Sequence, residues 1–397
     1  MIEILTFLVL LFFAIPISIF GIYGLILVYY GKLRSTRNKK DLSGFKTENG
    51  PFVSVVTPTH NEEKIIGKKI ENLLSSKYPS KKLELIFVDD SNDSTASIIE
   101  EYSLRYPIVR LIRFEGRMGY SPCMFAGVKA SKGEVIVLSD AGSFHDGDTI
   151  SNLVRHFSDS RVGAVTGKDE ILNVDEKVGS SEVSYLKILD FVRSAETNMD
   201  STFYFKGEAS AVRKELISDL EGCGATFDTA TALFVRQKGY KTLFDPEVRF
   251  YEYAPKKRSE RVKQKTIRAA NWIKILLKFK NMAFNYRYGK FGLYTLPANI
   301  GMLMVVPVVI LLGVASLILL TFFDPIFSLF VWGFLGTIAL LSHILSKHLV
   351  GTFLDFEFSL LKALYEIVFT KKKHDQIDTF CLREDRLYLV IYWFLKA

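Results

Sequence analysis

Cysteine is scarce: the 397 residues hold three, Cys123, Cys223 and Cys381, and none has the paired spacing of a metal site. Two of them fall in the part of the chain read below as cytosolic, where thiols stay reduced, so no disulfide framework is expected there. Charge is missing from three long runs. Ile4 to Tyr30 carries none, Phe291 to Phe323 carries none, and a third run begins after Asp324 and reaches Ser346. An apolar stretch of about 20 residues crosses a bilayer as a helix. The first run has no basic segment ahead of it and no small-residue cleavage site, which predicts an anchor rather than a cleaved leader. Asp324-Pro325 is the only break between the second and third runs, so these predict a helical hairpin with a very short turn.

What is present in excess is positive charge, a formal +8. It clusters beside the apolar runs: "GKLRSTRNKK" follows the first, and "SKHLV" and "TKKKHD" follow the third. Loops rich in Lys and Arg stay on the cytoplasmic side, which makes everything between Lys32 and Lys290 cytosolic. Three spans follow, with the N-terminus and the Asp324 turn outside, as expected of a cell-membrane protein. Basic charge in these places suits anionic lipid headgroups, and no nucleic-acid partner is expected.

Between Pro51 and Pro255 the pattern alternates. "FVSVVTP", "LELIFVDD", "VRLIRF" and "EVIVLSDA" are short β-branched runs; "NEEKIIGKKIENLLSS", "STASIIEEYSLRY" and a segment from Ser121 to Lys129 have helical spacing. Such alternation predicts an α/β domain with a mostly parallel sheet, Rossmann-like, whose ligands bind beyond the carboxyl ends of the strands. Polar residues gather at those ends: "TPTHNEE", Asp89-Asp90 and Asp140. Helix capping by Asn61, Ser91 or Asp93 explains part of this pattern. Two adjacent acids on an apolar strand remain, and they repel unless a partner or ligand compensates them.

The segments "VVTPTHNEEKIIGKKIENLLSSKYP", "LELIFVDDSNDST", the Asp140 segment "LSDAGSFHD", "FKGEASAVRKELI" and "TFDTATALFVRQKGYKTLFDPEVRFYEYAP" resemble, in this order, glycosyltransferase family 2. That is the family of cellulose synthase, hyaluronan synthase, dolichyl-phosphate mannose synthase and ceramide glucosyltransferase. The resemblance covers roughly Pro51 to Asn281 and implies a GT-A fold, a nucleotide-sugar donor (UDP- or GDP-linked) and inversion at the anomeric carbon. It places Pro58, His60 and Glu62 along the base and ribose, Asp89 and Asp90 against the nucleoside, and Arg117 near the phosphates. Asp140 matches the first acid of the family's D-x-D, which carries Mg²⁺ or Mn²⁺. Lys206, Gly207 and Glu208 match the acceptor-side loop, and Asp228 in "TFD" matches the catalytic base. A sugar hydroxyl is a poor nucleophile at neutral pH, so a carboxylate in that position has work to do.

Three departures stand out. The second D-x-D acid is Gly142, and a lysine common after Gly119 is Tyr120. The family's Q-x-x-R-W motif is reduced to Arg268, which covers the diphosphate by analogy, and a displaced Trp272 on the acceptor side. Gly142 leaves three readings: Asp140 holds the metal with His145 or Asp146, or basic groups such as Arg117 and Arg268 replace the metal, or turnover is lost. A membrane-bound enzyme acting on a lipid or lipid-linked acceptor is the favoured reading. A processive polysaccharide synthase and a donor-binding scaffold are the alternatives.

The segment from Lys256 to Lys280 is basic, with Ile267, Ala270, Trp272, Ile273, Leu276 and Leu277 at roughly helical spacing, as in a helix lying at the headgroups. "FSLLKALYEIVFTKKKH" reads the same way, and "RLYLVIYWFLKA" is too short to span. The expected organisation is an anchor (1–31), a basic linker (32–50), a GT-A domain (51–255), an interfacial helix region (256–290), a transmembrane hairpin (291–346) and an interfacial or cytosolic tail (347–397).

Overall fold

A computed structural model describes residues 2–32, 45, 47–174, 177–217, 227–255, 257–345 and 349–369. The tail "RLYLVIYWFLKA" and the basic run "TKKKHD" lie outside the described residues. The chain forms two compact units. One comprises the described residues within Met1–Arg34, Asn173–Met199 and Ala254–Thr370; the other comprises those within Ser35–Leu172 and Asp200–Tyr253.

The second unit is built on an eight-stranded sheet of order β3-β2-β1-β4-β7-β6-β8-β5. Its strands are β1 (Val53–Thr59), β2 (Leu83–Asp89), β3 (Val109–Arg113), β4 (Val135–Leu138), β5 (Phe144–His145), β6 (Val162–Ile171), β7 (Ser210–Arg213) and β8 (Lys241–Glu252). The first four run parallel, and every residue of β1 and β2 is buried, as strands covered by helices on both faces must be. Their register aligns the strand ends. Thr59 lies opposite Asp89, and Val56 lies opposite Leu138, so Asp89, Asp90 and Asp140 leave the sheet at one edge. Strand β7 is antiparallel to β4, with Ser210 opposite Leu138, so the residues preceding β7 arrive at that same edge. The sequence reading had no signal for this reversal.

In this unit α2 (Ile66–Leu74), α3 (Thr95–Arg105) and α4 (Tyr120–Ala130) follow β1, β2 and β3 in turn. Helix α2 buries Ile66, Lys69, Ile70 and Leu73, a spacing of three and four that defines one helical stripe. Capping accounts for less than the sequence allowed. Asp93, just ahead of α3, accepts from the N–H (2.9 Å) and hydroxyl (2.6 Å) of Thr95, while the N-cap of that helix, Ser94, makes no side-chain capping bond. Asn61 has a φ of 57° and accepts from Asn92 N–H instead of capping α2. Short helices α5 (Thr149–Val154) and α7 (Lys214–Ile217) precede α8 (Phe227–Gln237), which carries Asp228 in its first turn.

The other unit is helical. It contains α1 (Ile2–Lys32), α6 (Lys177–Met199), α9 (Arg258–Lys278), α10 (Phe291–Phe323), α11 (Pro325–Leu345) and α12 (Leu349–Phe369). The sequence placed α6 inside the catalytic domain. Its Val192 and Ala195 instead pack on Tyr23 and Leu27 of α1, beside Ala298 and Met302 of α10. Tyr23 donates to Glu196 at 2.6 Å, and Asn299 donates to the same oxygen at 3.0 Å.

Among the described residues two helices, α1 and α10, are long and apolar enough to cross a membrane. The third run falls short among the described residues, because its apolar helix spans only Pro325–Leu341. The three-span count is therefore not reached among the described residues. The turn is as read: Asp324 ends α10 and accepts from the N–H of Phe327 at 3.0 Å, starting α11 at Pro325. Helix α9 buries Ala269, Ala270, Ile273, Ile275 and Leu276, while Ile267, expected on that stripe, is exposed. Helix α12 turns Asp355, Glu357 and Ser359 inward and leaves Phe353, Leu354 and Phe358 exposed. Arg258 of α9 grips Asp355 through two nitrogens, at 2.5 and 3.3 Å.

Candidate active site

The strand edge carries two groups of side chains. The first gathers on the loops after β1, β2 and β3. Asp89 is fully buried and accepts from Thr59 (2.7 Å) and Ser91 (2.6 Å) hydroxyls and from Ser91 N–H. Asp90 accepts from Arg117 Nη1 (2.8 Å), pairs with His60 Nδ1 (2.9 Å), and receives the N–H groups of Met118 (2.8 Å) and Gly119 (2.7 Å). Burial alone would raise this carboxyl, but those N–H groups and Arg117 outweigh it and hold Asp90 below the usual carboxylate range. Of the two alternatives that their adjacency left open, a partner or a ligand, the protein thus supplies a partner from its own loops. The loop reaches Asp90 because Gly116 and Gly119 take φ of 88° and 97°, values that disfavour any side chain. His60 and Arg117 stay partly exposed above the pair, Pro58 is buried in β1, and Glu62 is half-buried with its carboxyl raised by burial and by Asp93.

The second group gathers on Asp140. Its Oδ1 accepts from the Tyr120 hydroxyl at 2.8 Å. Burial, then the carboxylate of Glu208, then that of Asp228 push Asp140 up to about 7, against the opposing effects of Tyr120 and Lys69. Tyr120 is raised well above its ordinary value by burial and by Asp140 and Asp228, so it stays a neutral donor. Gly207 lies against this pair. A Cβ there would stand 2.6 Å from the Tyr120 hydroxyl and 3.3 Å from Asp140 Oδ1. The structure therefore brings Asp140, Gly207, Glu208 and Asp228 together. Asp228 also accepts from the N–H of Thr229 at 2.7 Å, in the first turn of α8, where the helix dipole favours a carboxylate.

Lys206 is buried, with Nζ 2.5 Å from Asp169 and 3.8 Å from Glu252. Burial opposes its charge, but Asp169, Glu208 and Glu252 hold it firmly protonated. Asp169 and Glu252 carry no motif and were missed by sequence. So was Lys69, which is fully buried and donates to the Ser143 carbonyl at 2.5 Å. Burial brings it down to about 7, with Asp140 and Glu208 pulling the other way. Its signal was present: a lysine on the apolar stripe of α2.

His145 and Asp146, named with Asp140 as metal neighbours, are occupied otherwise. The His145 Nε2 lies 2.9 Å from the Glu208 carbonyl, and the backbone of His145 makes two bonds with Asn72. Only its Nδ1, buried without a hydrogen-bond partner, is left as a lone-pair donor. Asp146 is exposed and accepts from Gly147 N–H. No group of three His, Cys, Asp or Glu among the described residues forms a metal cage. A cation still fits. Asp140 is crowded by other carboxylates, whose charge a cation would offset, and a Cβ at Gly142, two residues on, would meet nothing within 4 Å. One carboxylate completed by phosphates and water suffices for Mg²⁺. Arg268 and Trp272 lie on α9 in the helical unit, exposed and half-buried respectively.

The neutral state of His145 gives a prediction. Burial, then Lys69, take its pKa down to about 3. The unfolded chain binds a proton below about 6.5 that the folded chain refuses, so this stability is present above 6.5 and is lost as pH falls. The loss approaches about 1.4 kcal/mol per pH unit for one proton. His145→Gln keeps the donor toward Glu208 and removes the titration. Its unfolding free energy is expected to change less between pH 6.5 and 5 than that of the parent; equal slopes would contradict the assignment.

Residues 54–244 match the model of Glycosyl transferase family 2. The probable glycosyltransferase YdaM of Bacillus subtilis is 27% identical over 248 residues, 60% of this chain and 59% of that protein. The beta-monoglucosyldiacylglycerol synthase of Trichormus variabilis is 26% identical over 211 residues, 52% of this chain and 43% of that protein. The chain thus spans about half the length of these curated relatives. Among solved structures, the mannosyltransferase PcManGT from Pyrobaculum calidifontis, in complex with GDP-Man and Mn²⁺, superposes with a TM-score of 0.72 at 23% identity, covering 92% of this chain and all of that one. That likeness establishes a GT-A fold. With the sheet order, the strand-edge acids and the matched segment in agreement, the chain carries a domain of glycosyl transferase family 2 over residues 54–244.

Proposed function

We propose that the chain is a membrane-attached, inverting glycosyltransferase that moves a sugar from a UDP- or GDP-sugar to a lipid or lipid-linked acceptor. The observation that carries this reading is the convergence of Asp140, Glu208 and Asp228 at the carboxyl edge of the sheet, where ligands of such folds bind. Asp228 is the base that takes the proton of the acceptor hydroxyl as it attacks the anomeric carbon. Pro58, His60 and Glu62 line the base and ribose, Asp89 and Asp90 shape that wall, and Arg117 faces the phosphates. Lys206, Gly207 and Glu208 form the floor on the acceptor side. When bound, Mg²⁺ or Mn²⁺ held by Asp140 neutralises charge on the departing diphosphate.

The relatives support the substrate classes: one is named a glucosyldiacylglycerol synthase, and one fold neighbour was solved with GDP-Man and Mn²⁺. A lipid acceptor also suits a chain whose helices α1 and α10 can cross a bilayer. By their basic flanks, Lys32 and Lys290 lie on the cytosolic side with the catalytic unit, and the start of α1 lies on the other. The experiment is transfer of label from UDP- and GDP-sugars by membranes containing the protein, with and without Mg²⁺ or Mn²⁺. Organic-extractable label is the expected product; insoluble polymer would favour a processive synthase, and no transfer from any donor would refute the enzyme.

A further inference from the structure

We propose that Tyr120 is a positioning residue of the reaction centre, and that the segment Arg117–Tyr120 couples the nucleoside side of the site to the cation side. This rests on the function proposed above. Within four residues the segment touches both strand-end acids: Arg117 and the N–H groups of Met118 and Gly119 hold Asp90, and the Tyr120 hydroxyl holds Asp140. The anchor at Asp90 is rigid, since its carboxylate oxygens receive donors from three positions of the segment and from His60. The phenol then starts α4 at a fixed place.

A second observation shows that the hydroxyl is seated and not merely near. Gly207 lacks a side chain where the phenol oxygen lies, with only 2.6 Å between that oxygen and the Cβ an alanine would carry. The oxygen therefore occupies a notch formed by Gly207 on one side and Asp140 on the other. A phenol is a neutral donor and adds no charge of its own among Asp140, Glu208 and Asp228. It fixes Asp140 through Oδ1 and leaves Oδ2 without competition from the phenol. A hydrogen bond that orients a metal-binding carboxylate typically accounts for about 10- to 100-fold in metal affinity or activity. With Gly142 supplying no second acid, the orientation of Asp140 rests on this bond.

The test is Tyr120→Phe in the full-length protein, which keeps the ring and removes only the oxygen. Binding of GDP and of UDP is measured without metal, and binding of Mn²⁺ by spin resonance of the free ion with each nucleotide present. Metal-free nucleotide affinity and thermal midpoint are expected to stay near those of the parent, while Mn²⁺ affinity falls about 10-fold and kcat falls more than KM changes. Mn²⁺ affinity and kcat within two-fold of the parent would overturn the inference, as would equal losses in nucleotide binding and thermal stability. A parent protein that binds neither nucleotide would instead overturn the proposed function.

Discussion

Asp228→Asn is expected to lower sugar transfer by about 10³-fold, inside the range that a positioned general base supplies. The amide is nearly the same size and still accepts from the Thr229 N–H, the contact that places Asp228 in the first turn of α8. What it loses is the ability to take a proton. Nucleotide affinity is expected to remain within two-fold, because the proposed nucleoside side is built on the loops around Asp90, held by His60 and Arg117 and not by Asp228. Removal of a carboxylate that raises Asp140 and Tyr120 also relieves repulsion, so the variant should be no less stable than the parent. Stopped turnover with intact binding identifies a base. Near-normal turnover would assign the proton to another group, with Glu208 the first to examine.

Gly207→Ala is expected to reduce transfer by about 10- to 100-fold, the range for loss of a carboxylate's orienting partner. The added methyl needs the space the Tyr120 oxygen occupies, and the ring is held from behind by the Asp90 anchor. The phenol must leave Asp140, or the 206–208 loop must withdraw and carry Glu208 with it. A double-mutant cycle separates these outcomes. In the Tyr120→Phe background the 2.6 Å clash is gone, and the tightest contact left to the methyl among those named is the 3.3 Å approach to Asp140 Oδ1. Gly207→Ala should there reduce transfer much less than in the parent. Additive losses would show that the loop itself moved and that the notch is not the cause.

Much of this architecture was legible in the chain. The alternation of β-branched runs with helically spaced segments located β1 to β4 and α2 to α4 within a few residues, because both faces of that sheet are covered and its strands are continuously apolar. The strand-end rule brought Asp90 and Asp140 to one edge, since parallel register follows from the fold class. Long-range partnerships were not legible. Nothing near Asp89-Asp90 indicates that Thr59, His60 and Arg117 compensate the pair, because those contacts come from loops about 30 residues away. Tyr120 read as the absence of a lysine, and only the geometry of Gly207 shows what the phenol does. Lys69 was readable as a charge on a buried stripe, yet a single lysine in a basic helix does not stand out from its solvated neighbours. Helix α6 read as part of the α/β domain because it lies between β6 and β7 in sequence. Its packing on α1 and α10 depends on Val192, Ala195 and Glu196, a pattern that names no partner.

The central claim is a single displacement at the anomeric carbon with Asp228 as base, and the stereochemistry of the product tests it most directly. An α-linked nucleotide sugar is supplied, the glycolipid is purified, and the configuration of the new bond is read from its anomeric proton and carbon signals. The mechanism predicts a β-linked product. An α-linked product would mean retention, and with it a route in which one carboxylate base is not sufficient.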